Sequence, residues 1–397
     1  MEWMLFGNEN RIAACLTGWC AIVFFVSNVS QSVAQVDTQS HGHPFLVSFS
    51  SPLQLPATLE SGNHQFTATE ISKAAAARCS KARVLIAESH VQGLSRKKQE
   101  SDPSERVLRL FQSGIETRIR QTASANALKL HFAIVATLQA ESILNHSEEL
   151  LLRQQQALDA LVEKGIPIPD PILVRRLQTT LNDKRMDNQS KQNLARTQLA
   201  ALVGPELSCS YLPTEDMQIV PSDMDVCDRI KQAITCRCDL VTLRQLRTTI
   251  DEDTIEAWDS IGAMMSGLPS PIKKAISLSR ILRTHRKKSE VQSTIELRRR
   301  WLDELITDRK TTITTEVESA FEKKKAAALR WANSTVQLEN WDTRIAQLKK
   351  MENVQGNLAS QIEAKLNRHQ AMAEQLERWL EWQHANTDLK LAIGSDF

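Results

Sequence analysis

The chain has 397 residues but only 12 glycines and 12 prolines, which are too few turn formers for a β-rich protein or a doubly wound α/β sheet. Its formal net charge of +2 gives no electrostatic reason to expect nucleic acid as a partner, because phosphate binding requires a basic excess on one face. The totals therefore favour a protein of long helices that does not bind nucleic acid.

The amino terminus has the pattern of an export signal. Residues 12–26 are predominantly apolar, a run shorter than the roughly 18 to 20 residues that span a bilayer. The small residues Ser32, Val33 and Ala34 follow it and fit a signal-peptidase site, which predicts a signal peptide over 1–34 with cleavage after Ala34. Arg11 is the one cation before the apolar run, so an uncleaved anchor is the alternative.

A first helical hairpin is predicted over residues 67–204. The preceding segment, 35–66, is rich in Ser, His, Gln and Pro and is expected to be an extended or disordered lead. A helical pattern covers 67–94, and Asp102-Pro103-Ser104-Glu105 then combines an N-cap acid with proline at the first helical position. No further proline interrupts the chain before Lys164, which predicts a helix about 93 Å long.

The first hairpin is expected to reverse at the segment that begins Gly165-Ile166-Pro167, because its prolines cannot continue helical hydrogen bonding. Asp170-Pro171 restarts a helix, and Gly204-Pro205 stops it as a glycine C-cap followed by a blocking residue. Residues 205–226 are predicted to be a linker, since they include further prolines and lack helical periodicity.

The second hairpin is predicted over 227–397. Between Ser289 and Ile393 the chain has no proline and one glycine, Gly356, and apolar or small residues recur in steps of three and four on both sides of it. Before Gly356 this stripe consists of Ile313, Val317, Ala320, Ala327, Trp331, Thr335, Leu338, Trp341, Ile345 and Leu348, interrupted by Lys324; after it the stripe consists of Leu358, Ile362, Leu366, His369, Met372, Leu376 and Leu380. The spacing is typical of a coiled-coil seam.

The two hairpins have the signature of an internal repeat. Five residues recur at a constant offset, namely Ala195, Thr197, Leu199, Val203 and Gly204 as Ala385, Thr387, Leu389, Ile393 and Gly394. Each copy alone would leave an apolar stripe exposed, which the other copy or other subunits would cover. The predicted fold class is all-α, with two tandem long antiparallel hairpins and little or no β-structure.

No pattern in the sequence predicts an enzyme. The chain lacks a glycine-rich phosphate loop, a Gly-x-Ser-x-Gly elbow and a His-Glu-x-x-His pair, so neither catalytic nor cofactor-binding residues are assigned. Four cysteines around the linker could hold zinc or form disulfides: Cys209, Cys227, Cys236 and Cys238. Their spacing lacks the paired C-x-x-C arrangement, so free or disulfide-paired structural cysteines are expected and no metal site is predicted.

Tandem hairpins behind a signal peptide resemble the outer-membrane efflux protein (TolC) family. Cys236-Arg237-Cys238-Asp239-Leu240 is similar to the Arg-Pro-Asp-Leu start of that family's second repeat, with Cys238 at the proline position. Glu316-Val317-Glu318-Ser319-Ala320 is similar to its Glu-Val-x-x-Ala segment. The specificity of the resemblance lies in the order and spacing of these short motifs.

The resemblance implies a homotrimer whose periplasmic helical tunnel continues into a barrel in the outer membrane, working with a periplasmic adaptor and an inner-membrane transporter. It places the hairpin tips, and a possible adaptor contact, at Gly165, Ile166, Pro167, Gly356 and Asn357. The sequence departs from the family at 92–102 and 258–289, where spanning strands are expected but no alternation of 9 to 11 residues is found.

Two functional hypotheses follow for an exported protein of the cell envelope, located in the outer membrane or periplasm. The first is an outer-membrane component of an efflux or export system, in which the hairpins form or support a conduit. The second is a periplasmic coiled-coil scaffold that has lost the pore, which the missing strand pattern favours.

Overall fold

The computed structural model describes residues 65–79, 81–82, 103–163, 171–204, 212–213, 219, 225–255, 288–350 and 357–395. Its elements are β1 (Gln65–Phe66), α1 (Ala68–Arg78), α2 (Pro103–Glu163), α3 (Pro171–Val203), β2 (Leu212–Pro213), α4 (Val226–Cys236), α5 (Cys238–Thr248), α6 (Lys288–Lys350) and α7 (Asn357–Ile393). Within these residues, β-structure is limited to the two-residue parallel pair of β1 with β2. The predicted all-α class is confirmed.

Local sequence signals set most ends of the long helices. Helices α2 and α3 begin at Pro103 and Pro171, as the N-terminal prolines predict. The residues that follow α3 and α7, Gly204 and Gly394, have φ of +102° and +77°, a left-handed conformation that glycine adopts without a Cβ penalty.

The helical stretch predicted over 67–94 is interrupted, because α1 ends at Arg78 and Cys79 is not helical; residues 81–82 are helical again, and 83–94 lie outside the described residues. Its start is as predicted, with a capping box between Thr67 and Glu70. A tertiary contact caps this end, since the Arg120 guanidinium donates a 2.8 Å hydrogen bond to the Ala76 carbonyl in the last turn of α1. Local sequence carries no signal for a partner 44 residues away.

The described residues divide into two compact units, one comprising 103–110, 245–255 and 288–304, and the other the remaining described residues. In the described part of the first unit, an Arg247–Asp303 ion pair joins α5 to α6, and Arg299 donates to the Ile250 carbonyl at 2.7 Å. The apolar side chains buried there include Val107, Leu246, Ile250, Ile295 and Leu302.

In the second unit, α3 runs antiparallel to α2. The hydrogen bonds and ion pairs between these helices join higher residue numbers of α3 to lower numbers of α2, as in Gln178 with Gln155, Arg185 with Glu148, and Asn188 with the Thr137 carbonyl. These contacts establish the first antiparallel helix pair. The positions where it was predicted to reverse, 164–170, lie outside the described residues.

Helix α7 runs antiparallel to α6 in the same way. The register is set by Gln361 with the Leu348 carbonyl, Arg368 with Asp342, and Gln375 with Thr335. Lys324, the residue that interrupts the apolar stripe, is half-buried, with its ammonium 5.4 Å from the ring centroid of Trp382. A cation–π contact therefore accommodates this charge within the stripe.

The two hairpins of the second unit meet through α2 and α7. Phe132 and Trp379 form an edge-to-face pair with ring centroids 5.8 Å apart, and Lys129 pairs with Asp388 at 2.6 Å. The main apolar cluster draws on all four long helices and contains Leu128, Phe132, Val135, Ile143, Leu144, Leu151, Leu181, Leu338, Ile362, Leu366, Met372, Leu376 and Trp379. The helices thus lie in the order α3, α2, α7, α6. Of the stripe predicted before Gly356, Leu338 lies in this cluster with Trp331 and Trp341 packed against it. The other apolar members are buried in separate clusters, namely Ile313, Val317, Ala320, Ala327, Ile345 and Leu348.

One window in the described residues, within Arg109–Gln156 of α2, is long and apolar enough to cross a membrane. However, 61% of that window is buried within the protein. A core helix of an assembled bundle has the same composition, so the window is explained by the cluster that it helps to form.

Candidate functional site

The most elaborate polar arrangement in the second unit is built around Arg237, which separates α4 from α5. Its backbone is extended, with φ −67° and ψ 121°, so it interrupts the helix. Its N–H still donates to the Ala233 carbonyl, and its own carbonyl accepts from Val241 N. One non-helical residue thus turns the Arg237 side chain into the protein, where it is completely buried.

Carboxylates from two helices and the carbonyl end of a third surround the buried Arg237 guanidinium. Its Nη1 donates to Glu316 of α6 and, at 3.2 Å, to the Ala392 carbonyl near the end of α7. Its Nε lies 3.1 Å from Asp239 Oδ1, within ion-pair distance. Burial of this cation is therefore compensated by opposite charge and by a helix C-terminus, where the dipole is negative.

Arg309 of α6 completes the arrangement. Its Nε donates to Asp239 Oδ2 at 2.8 Å and its Nη1 to Glu316 Oε1 at 3.2 Å. Arg237, Asp239, Arg309 and Glu316 thus form a closed set of two arginines and two carboxylates, here termed the ionic cluster. It joins the α4–α5 junction to the middle of α6.

Two groups of the ionic cluster, Asp239 and Arg309, keep their charges at neutral pH. Burial would raise the pKa of Asp239, but Arg237 and Arg309 outweigh burial and hold that pKa below its ordinary value. Burial would lower the pKa of Arg309, but Asp239 and Glu316 raise it overall. Neither group can exchange a proton near pH 7, so the cluster fits a structural clamp and not general acid–base chemistry.

Side chains of the first hairpin cap the end of α7 beside the ionic cluster. Arg118 Nη1 donates to the Leu391 carbonyl at 3.0 Å, and Gln121 Nε2 donates to the Gly394 carbonyl at 3.3 Å. A Cβ at Gly394 would lie 3.1 Å from Arg237 Cα, so the chain approaches closely there. The carbonyls that a helix end leaves unpaired are thus satisfied by α2.

The first hairpin ends in a related arrangement. A Cβ at Gly204 would lie 1.8 Å from Nη1 of Arg78, and Arg78-Cys79 stands at the end of α1 as Arg237-Cys238 stands after α4. Leu199 and Val203 are buried before Gly204, as their counterparts Leu389 and Ile393 are before Gly394. In both hairpins, a glycine after the return helix contacts an arginine that follows or ends a short helix.

The structure brings together the two motifs that carried the family resemblance. Asp239 and Glu316 come from separate motifs, 77 residues apart, and share Arg237 and Arg309 as partners. The sequence interpretation missed Arg309, Arg118 and Gln121. Arg309 had a weak signal, because it precedes Glu316 by two helical turns on the same face, whereas Arg118 and Gln121 had none.

Most of the predicted hairpin-tip residues lie outside the described part of the chain. Gly165, Ile166, Pro167 and Gly356 are among these, and Asn357 is the first residue of α7. The predicted cleavage residue Ala34 and segment 92–102 also lie outside it, as does 258–287 of the second segment. The structure therefore does not test those assignments.

The cysteines are not brought together in a site within the described residues. Cys79, Cys227, Cys236 and Cys238 are free thiols, and Cys209 lies outside the described ranges. Burial raises the pKa of the Cys238 thiol, which disfavours the thiolate that binds metal. No group of three or more His, Cys, Asp or Glu side chains there is arranged to hold a metal ion.

Comparison with known proteins places this architecture among bacterial channels. No family model and no curated protein matches the sequence. Among solved structures, the open state of the Neisseria gonorrhoeae MtrE outer membrane channel aligns with a TM-score of 0.55 at 10% identity, covering 88% of this chain and 98% of that one. The outer-membrane channel OprN aligns with a TM-score of 0.57 at 10% identity, over 90% and 99% of the two chains.

The Campylobacter jejuni CmeC outer membrane channel aligns with a TM-score of 0.53 at 11% identity, over 74% of this chain and 67% of that one. At such low identity the likeness establishes the fold alone. The chain has the fold of outer-membrane channels, and the resemblance to the outer-membrane efflux protein fold that the sequence predicted is confirmed.

Proposed function

We propose that this protein is the outer-membrane component of an efflux or export system, in which helical hairpins of three chains line a periplasmic conduit. One observation carries the proposal: the fold of the MtrE channel extends over 88% of this chain and 98% of the channel chain. The alignment covers nearly the whole length of both chains and is not limited to one hairpin. It therefore supports a shared overall architecture.

Several finer features belong to this proposal. Residues 1–34 are a signal peptide, 67–204 and 227–397 are two copies of one hairpin unit, and the working form is a homotrimer. A periplasmic adaptor contacts the tips, near Gly165 and Gly356, and an inner-membrane transporter supplies the substrate. The protein is not an enzyme; the solved structures that share its fold are outer-membrane channels, which supports this assignment.

Fractionation tests the location and separates the proposal from the scaffold alternative, which the absence of strand alternation in 92–102 and 258–289 favours. We expect the protein to remain with outer-membrane fractions and to require detergent for extraction. Release by osmotic shock without detergent would instead establish a periplasmic scaffold.

A tip substitution tests the proposed adaptor contact. Gly356→Val should reduce recovery of the adaptor and transporter after cross-linking in cells, because the proposed tight turn favours glycine and a β-branched residue is the least suited to replace it. Ser319→Val, at an exposed position within α6, is the matched control and should leave recovery unchanged. Equal recovery of the partners with both variants would remove the tip assignment.

A further inference from the structure

A cavity of about 550 Å³, lined by both apolar and charged side chains, lies in the second unit between α2, α6 and α7. Its volume is within the range of pockets that hold small molecules, roughly 300 to 1,000 Å³. It is separate from the ionic cluster, since none of that cluster's four residues lines it. Neither the fold nor the proposed export role accounts for it.

Charged side chains from all three helices converge on this cavity, with an excess of cations. The positive ones are Arg153, Lys349, Lys365 and Arg368, and the negative ones are Glu149 and Asp342. Arg368 is paired with Asp342 across the α6–α7 interface, which makes that pair part of the wall. The charged residues that remain are three cations, Arg153, Lys349 and Lys365, and one carboxylate, Glu149.

Two histidines line the cavity, His146 and His369, and the buried His369 adds no charge. Burial, reinforced by Arg368 and His146, strongly lowers the pKa of His369, so the ring is neutral. The Ser147 hydroxyl donates to the Ile143 carbonyl at 2.7 Å, so its contact of 3.2 Å with His369 Nδ1 requires that nitrogen to be the donor. The hydrogen-bond network thus fixes the neutral Nδ1–H tautomer.

The three remaining cations share this cavity with one carboxylate, Glu149, and Arg153 and Lys349 are exposed to solvent. Lys365 is half-buried on α7, and within the described residues neither it nor Lys349 takes part in an ion pair. Like charges gathered at a concave surface repel one another and focus a positive potential on it. An anion in the cavity would relieve this repulsion.

We propose that this cavity binds an anionic group, a carboxylate or a phosphate, between Lys349 of α6, Lys365 of α7 and Arg153 of α2. Such a ligand joins the first hairpin to both helices of the second. The inference stands independently of the export role, because it rests on the lining of the cavity alone.

Isothermal titration of the purified full-length protein with inorganic pyrophosphate, and separately with hexaglutamate, tests the proposal. We expect saturable binding that weakens with added salt. Lys365→Gln should raise the dissociation constant about tenfold, since a charge-assisted hydrogen bond is removed. Lys350→Gln is the matched control, because Lys350 is the exposed neighbour of Lys349 on α6 but does not line the cavity.

The two probes separate the possible sources of the anion. Tighter binding of pyrophosphate indicates a free phosphate ligand, and tighter binding of hexaglutamate indicates carboxylates of an acidic peptide. No saturable binding of either probe would overturn the proposal. An equal loss in the Lys350→Gln and Lys365→Gln variants would overturn it too, because it would mean diffuse attraction to a basic surface.

Chemical labelling of lysines gives a second readout that does not depend on a variant folding. A bound anion should protect Lys349 and Lys365 from an amine-reactive reagent, as measured by mass spectrometry, and leave Lys350 equally reactive. Labelling of Lys365 that is unchanged at a saturating concentration of either probe would contradict the site.

Discussion

At the scale of single residues, the second unit buries ionisable groups whose charge is balanced by identified partners. Arg237 is completely buried, yet it lies between Asp239 and Glu316 and beside the carbonyl end of α7. A buried ion pair of this kind adds little to the stability of the fold compared with an apolar pair of the same shape. Removing one partner is nevertheless destabilising, because it leaves the other charge buried and unpaired.

Glu316→Gln should therefore destabilise the protein. Because Glu316 is about one-third exposed, solvent screens part of the loss, and we expect a decrease of about 2 kcal/mol in the free energy of unfolding. Urea denaturation followed by far-ultraviolet circular dichroism measures it. Glu318→Gln, at an exposed position on the same helix, is the control; a similar decrease there would mean that the ionic cluster has no special role.

His369 makes stability depend on pH. Its pKa is lowered from 6.5 by burial in the folded protein, so below about pH 6.5 the unfolded chain binds a proton that the folded protein refuses. Stability contributed by the neutral ring is present above that pH and is lost as the pH falls further. The loss has a limiting slope of about 1.4 kcal/mol per pH unit for one histidine.

His369→Asn should accordingly make the decline in unfolding free energy between about pH 6.5 and pH 5 shallower than in the unmodified protein. Asparagine retains a donor near the position of Nδ1 for the Ser147 hydroxyl. Parallel pH profiles for the unmodified protein and the His369→Asn variant would disprove the role of His369.

At the scale of elements, one glycine decides how closely two helices approach. A Cβ at Gly114 of α2 would lie 2.2 Å from Oγ1 and 2.9 Å from Cβ of Thr242 in α5. Threonine is short and stiff, so it cannot move away as a long side chain can. Gly114 therefore allows α2 and α5 to approach this closely, and any other residue at this position would push the two helices apart.

Gly114→Ala should destabilise the protein by about 1 to 2 kcal/mol, even though alanine is the better helix former, because overpacking outweighs the gain in propensity. Thermal unfolding of a double-mutant cycle with Thr242→Ala should recover part of the loss. Ser113→Ala, at the exposed preceding position of α2, controls for helix propensity and should not destabilise the protein. If the Gly114→Ala variant were as stable as that control, the close approach would be refuted.

The helix boundaries show how far local rules extend. Pro103, Pro171, Gly204 and Gly394 set ends of the long helices where the sequence predicts them, because proline and glycine act on their own backbone. The interruption after Arg78 was missed; there Arg120, from a distant part of the chain, caps the last turn of α1. The same limit applies to the ionic cluster: its motifs were visible, but its second arginine and its contact with α7 were not.

At the scale of the whole molecule, the described helices carry apolar side chains that no intramolecular contact covers. Met186 and Leu194 of α3 are 70% and 59% exposed and lie on the side of the helix opposite its buried residues. A trimer with neighbouring hairpins side by side would cover such a face, in keeping with the proposed function.

The double substitution Met186→Gln with Leu194→Gln should shift the oligomer toward smaller species without lowering the stability of a single chain, because both side chains are already exposed. Native mass spectrometry distinguishes three chains of about 44.7 kDa, less any cleaved signal peptide, from one. Ser190→Gln, exposed on the same face, is the control. If the doubly substituted protein keeps its oligomeric state, this face is not the interface.

The sequence by itself determined the kind of element and, for the long hairpins, most of the helix ends, because helical periodicity, N-terminal proline and C-terminal glycine act over a few residues. Tertiary structure decided that α2 and α7 form the contact between hairpins, that Arg237 and Arg309 share two carboxylates, and that three helices converge on a cationic cavity. Those features depend on which faces meet across more than 70 residues of chain, and periodicity within one helix carries no information about the partner of its face.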